Sequence, residues 1–344
     1  MASLYPSRIL PSALLVLLGA GCRPAAPPAS REATEPTTAA PTNIPADISH
    51  GEARLGSADT APPVDPRAPA PTRERRHRIR LEIQHATVSI DSGVPYDAWT
   101  FGGHVPGPVL RARQGDTVDV TLLNRAPMPH SIDFHAAEIA PDKYYRNLMP
   151  GDSLHYTFVP RVAGVFMYHC GTAPVAAHIA NGMYGAFIVD PATPRPPAKE
   201  FVLIQSEFYT TGDTLHRSPL VLDWAKLLSQ APDYVVFNGR AAQYAKHPIP
   251  VPVGAPLRLY VVNAGPNRFS SFHVVGGMFD RVFLDGSLAH PLEGVQTGIV
   301  PVGGSAIFEI RLKQAGVYPF VTHAFADATK GAVGMFEAGA RPAQ

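Results

Sequence analysis

Two distant stretches of this chain repeat one another. Val162-Ala163-Gly164-Val165-Phe166-Met167-Tyr168-His169 and Gln314-Ala315-Gly316-Val317-Tyr318-Pro319-Phe320-Val321-Thr322-His323 each read as a Gly-centred turn, then an apolar strand ending on histidine. A repeat built on strands restricts the folded part to two similar β-sandwiches in tandem. Elsewhere Ile79–Ile83 and Thr117–Leu122 alternate as half-buried strands do, and Pro256–Val262 supplies the matching strand of the second copy. Gly107-Pro108 and Gln114-Gly115-Asp116 mark turns, and 37 prolines with 29 glycines suit many short strands. Leu220 to Gln230 is the one plausible helix, and Pro191 to Pro197 reads as the link between a first domain at 76–190 and a second at 198–340. The formal net charge of +1, with no basic run, gives no footing for nucleic acid.

The N-terminus is of another kind. Arg8 precedes a short apolar core, Ile9 to Leu18, and Leu18-Gly19-Ala20-Gly21 leads into Cys22. The apolar run is too short to span a bilayer, so residues 1–22 read as an export signal. Small residues ending on Cys resemble a lipoprotein signal, with Leu18 one position further upstream than usual. The expectation is a protein of the periplasm or outer membrane, anchored to the membrane by a lipid on Cys22. Residues 23–75, rich in Pro and Ala, read as a disordered tether, because such composition buries too little apolar surface to offset the entropy of ordering.

Only two cysteines occur, and one belongs to the signal. Cys170 is therefore left without a disulfide partner in an exported protein, which demands a reason to stay reduced. Metal ligation is such a reason. His178 follows Cys170 by eight residues, Met183 follows by five more, and His130 lies on an earlier strand. Two imidazoles, a thiolate and a weak axial thioether make a type 1 electron-transfer copper site, since soft sulfur holds Cu(I) and imidazole accommodates Cu(II). A lone Met or His would ordinarily be core; this spacing behind an apolar strand is far more specific.

Strand alternation predicts a second site. Neighbouring residues face opposite ways, so if Cys170 points into the sandwich, His169 points out. His130 and His135 differ by an odd number and can serve opposite faces, whereas Asp133 and His135 can share the outward one. The outward set is then Asp133, His135 and His169. His323, at the equivalent position of the second repeat, is the natural third histidine. The equivalent edges of two repeats do not easily meet within one chain, so a neighbouring subunit is expected to donate it. Three histidines with an open position describe a catalytic metal site.

At these residues the chain resembles the copper-containing nitrite reductases. The resemblance runs from about Ile79 onward. It is strongest in Phe101-Gly102-Gly103-His104-Val105-Pro106-Gly107-Pro108, Pro129-His130-Ser131-Ile132-Asp133-Phe134-His135-Ala136-Ala137, Tyr168-His169-Cys170 and His178-Ile179-Ala180-Asn181-Gly182-Met183-Tyr184-Gly185. In the second half it includes Asn263-Ala264-Gly265-Pro266-Asn267, Ser270-Ser271-Phe272-His273-Val274-Val275 and Gln296-Thr297-Gly298-Ile299-Val300-Pro301. The short Cys-to-His loop is similar to the outer-membrane lipoprotein branch. The resemblance implies an all-β fold of two tandem cupredoxin-like Greek-key β-sandwich or barrel domains. It further implies a homotrimer with one type 1 and one type 2 copper per subunit. The type 2 ligands would be His135 and His169 of one subunit and His323 of the next. Asp133 and His273 would be the catalytic pair, and Val275 would take the place of the apolar cap over nitrite. A small electron-donor protein, of cytochrome c or cupredoxin type, would supply the electron.

Glu138 to Arg146 departs from the glycine-rich segment usual in the family, and Val275 is smaller than the usual cap; both bear on substrate. Two rival functions stand beside the reductase. A two-domain multicopper oxidase needs several His-x-His pairs for its trinuclear cluster, and no such pair occurs in the chain. A non-enzymatic copper carrier leaves Asp133, His273 and His323 without a joint role.

Overall fold

A computed structural model describes residues 62–212 and 218–339. The expected export signal with Cys22, and the expected tether up to residue 61, lie outside the described residues. Two sandwiches follow one another along the chain. In the first, one sheet orders the strands Val94–Phe101, Arg76–Asp91, Thr117–Asn124 and Ser153–Phe158. The facing sheet orders Leu110–Arg113, Tyr184–Asp190, Gly164–His169 and Asp133–Phe134. The second sandwich repeats this plan. Arg76–Asp91 pairs parallel with Thr117–Asn124, and Lys199–Phe208 pairs parallel with Leu257–Asn263 in the same role. Gly164–His169 pairs antiparallel with Tyr184–Asp190, as Gly316–Thr322 does with Val333–Gly339. The sequence repeat is thus a repeat of whole strands, matching the expected two-domain cupredoxin architecture.

The strand Gly164–His169 has no wet face, and this decides where its end points. Val165 and Met167 join Tyr184, Ala186 and Ile188 in an apolar layer against Val202, Ile204, Val236, Tyr260 and Val262 of the second sandwich. Tyr168 and Cys170 face the other way, among Ile83, Val120, Phe134, Phe187 and Val189 inside the first. A period of two along an extended chain thus serves two cores at once. Charge also crosses between the sandwiches. The Arg111 side chain, 5% exposed, bonds Asp190 at 2.8 Å and Glu200 at 2.7 Å, and Glu200 also takes Arg258 at 2.7 Å. Glu309 completes this cluster, with Arg195, Arg258 and Arg281 around it.

Two expectations need adjusting. Residues 62–75, read as the end of the tether, lie along the body: Arg67 bridges Phe201, and the Tyr244 hydroxyl donates to the Val64 carbonyl at 2.9 Å. Backbone hydrogen bonding to a strand edge offsets an ordering cost that apolar burial alone does not. The expected helix at 220–230 shrinks to Trp224–Leu228, N-capped by Asp223 through the Lys226 amide. Four more single-turn helices occur among the described residues, at Pro141–Tyr144, Val175–Ala180, Gln243–Lys246 and Phe325–Ala328. They are too short to carry a readable apolar period.

Candidate metal centres

The buried end of the shared strand gathers the first ligand set. Cys170 Sγ lies 3.2 Å from His178 Nδ1 and 3.9 Å from His130 Nδ1, and the two Nδ1 atoms are 3.1 Å apart. Burial, first of all, holds His130 down to about 3 and His178 to about 4, so both imidazoles are neutral near pH 7 with lone pairs to offer. Met183 is fully buried and is tied by its backbone to both neighbours: its N–H donates to the His178 carbonyl, and its carbonyl accepts from the Cys170 N–H, each at 3.1 Å. A reduced thiol and two neutral imidazoles converging in a dry core fit a soft, redox-active metal.

The loop around Cys170 is fixed by a residue that spacing alone does not single out. Ser131 donates its N–H to Cys170 Sγ at 3.4 Å, and its hydroxyl accepts the Gly171 N–H at 3.1 Å. Trp99 meets both imidazoles edge-on, 4.8 Å from His178 and 5.7 Å from His130.

One residue back, the chain faces the opposite way. His169 pairs with Asp133 across the short strand Asp133–Phe134, and its Nε2 lies 3.0 Å from His135 Nε2 and 3.9 Å from Asp133 Oδ2. Its Nδ1–H donates to the Cys170 carbonyl at 2.9 Å, which leaves the Nε2 lone pair toward His135. Burial and the neighbouring His169 hold the His135 imidazole below its ordinary value. Two imidazole nitrogens 3.0 Å apart, with a carboxylate alongside, fit a metal ion that still needs ligands.

Those ligands are absent from the same neighbourhood of the chain. Half-buried His273 and exposed His323 form their own pair in the second sandwich, with ring centroids 5.4 Å apart. His273 Nδ1 donates to the Gln296 carbonyl at 2.7 Å, which leaves Nε2 free. Val275, two residues on, is exposed, with its N–H on the Pro319 carbonyl at 2.7 Å. Among the described residues the ligand atoms gathered with His169 are those of Asp133 and His135 alone.

The segment 138–146, singled out as atypical, packs beside this second set. Its helical turn, Pro141–Tyr144, leans Tyr144 on Tyr156 at 5.7 Å, and the Tyr145 hydroxyl donates to the Phe134 carbonyl at 3.3 Å. Burial and the adjacent Asp133 carboxylate push the Tyr145 phenol well up. Only the tertiary fold brings residue 145 to residue 133.

Comparison with known proteins gives one consistent answer. A multicopper oxidase family model matches residues 82–194. The chain is 40% identical over 266 residues to a copper-containing nitrite reductase of Neisseria meningitidis, covering 76% of this chain and 69% of the relative. It is 30% identical over 269 residues to that of Alcaligenes xylosoxydans, covering 72% and 81%. Among solved structures, the copper nitrite reductase of Nitrosomonas europaea superposes with a TM-score of 0.71 at 35% identity, covering 77% of this chain and 94% of that one. A multicopper oxidase structure superposes with a TM-score of 0.68 at 28% identity, covering 77% and 89%.

Proposed function

The chain belongs to the copper-containing nitrite reductases, and from that membership we propose that it reduces nitrite to nitric oxide at a site shared between subunits. The observation that carries the reading is the Asp133–His169 pairing beside buried Cys170. One peptide unit joins the inward thiolate to the outward imidazole, so the two ligand sets are held at a fixed separation by the backbone.

The reaction consumes one electron and two protons per nitrite and releases nitric oxide and water. Copper, when bound, supplies one-electron redox chemistry at His130, Cys170, His178 and Met183, and Lewis acidity toward nitrite at His135, His169 and His323. The protein supplies the rest. Cys170–His169 is the covalent conductor between the sets. Asp133, 3.9 Å from His169 Nε2, is held where a carboxyl proton can pass to the departing oxygen. His273, with Nδ1–H fixed on the Gln296 carbonyl, presents Nε2 as the second proton source. Val275, exposed beside it, serves as the apolar wall of the substrate pocket.

Half of this constellation sits on each sandwich, which supports a homotrimer in which Asp133, His135 and His169 of one subunit face His273 and His323 of the next. Residues 76–190 and 198–340 act as the two domains, and an electron-donor protein of cytochrome c or cupredoxin type reduces the first centre. Residues 1–22 support export and attachment through a lipid on Cys22.

The test is an anaerobic nitrite assay on copper-loaded protein with an artificial donor, following nitric oxide. Wild type should turn over with two coppers per subunit. Asp133→Asn and His273→Ala should lose turnover while keeping the visible absorption of the first centre. Turnover surviving in both would overturn the proton roles. Four coppers per subunit would support oxygen reduction instead.

A further inference from the structure

His85 stands at the solvent side of the first centre. It lies directly opposite Trp99 on antiparallel strands, so the two rings share one face of the sheet. They stack, with centroids 5.4 Å apart and planes 12° from parallel. Trp99 in turn covers the edges of both ligand imidazoles, and His178 beneath it is only 1% exposed. His85 itself is exposed, yet its Nε2 lies 3.3 Å from Nε2 of fully buried His130, with the two rings 79° apart.

The proton on that contact can be placed. His130 turns Nδ1 toward Cys170 and His178, so that nitrogen gives its lone pair to the metal and Nε2 carries the hydrogen. Its Nε2–H then has one neighbour to donate to, the Nε2 of His85, which must keep its own proton on Nδ1. A ligand imidazole that donates to an acceptor becomes a stronger electron donor and is fixed in orientation. We propose that His85, stacked on Trp99, is a positioning residue of the first copper centre: it accepts the His130 Nε2–H, orients that ligand and lowers the reduction potential of the site. The proposal rests on the ligand set assigned above.

Copper-loaded variants test it through the potential of the first centre, followed by its visible absorption, and through the copper hyperfine splitting. His85→Phe keeps a ring on Trp99 and deletes the acceptor. It should shift the oxidised-to-reduced equilibrium about tenfold toward Cu(I), which is about 59 mV for one electron, with copper content unchanged. His85→Gln restores an acceptor and should recover most of that shift. A potential and spectrum unchanged in His85→Phe would reduce His85 to packing and overturn the inference. Nitrogen-15 NMR of histidine-labelled, Cu(I)-loaded wild type decides the point without any variant. A proton on His85 Nδ1 with a bare Nε2 is expected, and a proton on Nε2 would overturn the inference. A wild type that never develops the absorption would remove the ligand assignment itself, and this inference with it.

Discussion

Glu309 is the keystone of the charge cluster beneath the interdomain link. Its carboxylate accepts from Arg195 at 2.8 Å, from Arg258 Nε and Nη2 at 2.9 Å each, and from Arg281 at 2.6 Å. The Glu309 side chain is 11% exposed and that of Arg258 5%, whereas that of Arg281 is 44% exposed. Glu309→Gln keeps the shape and one acceptor but removes the negative charge and turns an amide donor toward a guanidinium. Each pair near 4 Å carries about 4 kcal/mol of Coulomb energy at an effective dielectric of 20. Mutual repulsion among the arginines and residual hydration cancel much of the sum, so the expected cost is about 3–5 kcal/mol, as for a broken buried pair. Arg281→Gln, at the wet side of the same carboxylate, should cost no more than about 1 kcal/mol. Equilibrium urea unfolding of the two variants, with unchanged m-values, measures the contrast. If Glu309→Gln cost under 1 kcal/mol, or no more than Arg281→Gln, the carboxylate would not be holding the cluster and the reasoning would fail. Arg195 sharpens the contrast: burial and the neighbouring Arg258 hold its guanidinium below the usual value, so Arg195→Met should be milder than Arg258→Met.

Other consequences are as concrete. Ser131→Ala strips the acceptor of the Gly171 N–H beside Cys170; it should cost about 1–3 kcal/mol and shift the visible absorption of the first centre, and an unchanged spectrum would refute the role given to that hydroxyl. A Cβ at Gly185 would lie 2.3 Å from Tyr168 Cζ, on the residue before His169; Gly185→Ala should cost about 1–3 kcal/mol by overpacking, read as a lowered melting temperature. In metal-free protein His130 and His178 resist protonation, whereas unfolded they titrate near pH 6.5. The unfolded chain therefore takes up protons that the fold refuses, and stability falls as pH drops from about 6.5 toward 4, by about 1.4 kcal/mol per pH unit per histidine. A His130→Gln, His178→Gln double variant should lose that part of the slope, and parallel urea midpoints at pH 7 and pH 5 would contradict it.

What the sequence disclosed follows from which signals are local. Cys170, His178 and Met183 all lie in the one connection between Gly164–His169 and Tyr184–Asp190, so the buried ligand set could be read without a structure. The inward and outward sorting of His169 and Cys170 follows from the period of an extended chain, and the two apolar layers that flank Gly164–His169 bear it out. Contacts that depend on sheet order were not legible. Nothing in the spacing joins His85 to His130, 45 residues apart, until the sheets of the first sandwich face one another. Tyr145 was visible only as part of an unusual segment, because its approach to Asp133 depends on a helical turn too short to show a period. Residues 62–75 differ from the tether reading for a related reason, since composition reports apolar burial and not backbone pairing with a strand edge. The pairing of His273 with His323 was invisible in the same way: it joins two strands that are neighbours only in the folded sheet.

The two-residue pairing of Asp133 with His169 and Phe134 with Tyr168 sets a manufacturing tolerance for the whole molecule. A slip of one residue there would turn His169 inward and Cys170 outward together, scrambling both ligand sets in a single event. Misassembled copies would then be defective at both sites rather than at one. Bound metal per chain therefore doubles as an inspection of the strand register, and a batch that falls short should divide into full and empty molecules rather than half-filled ones.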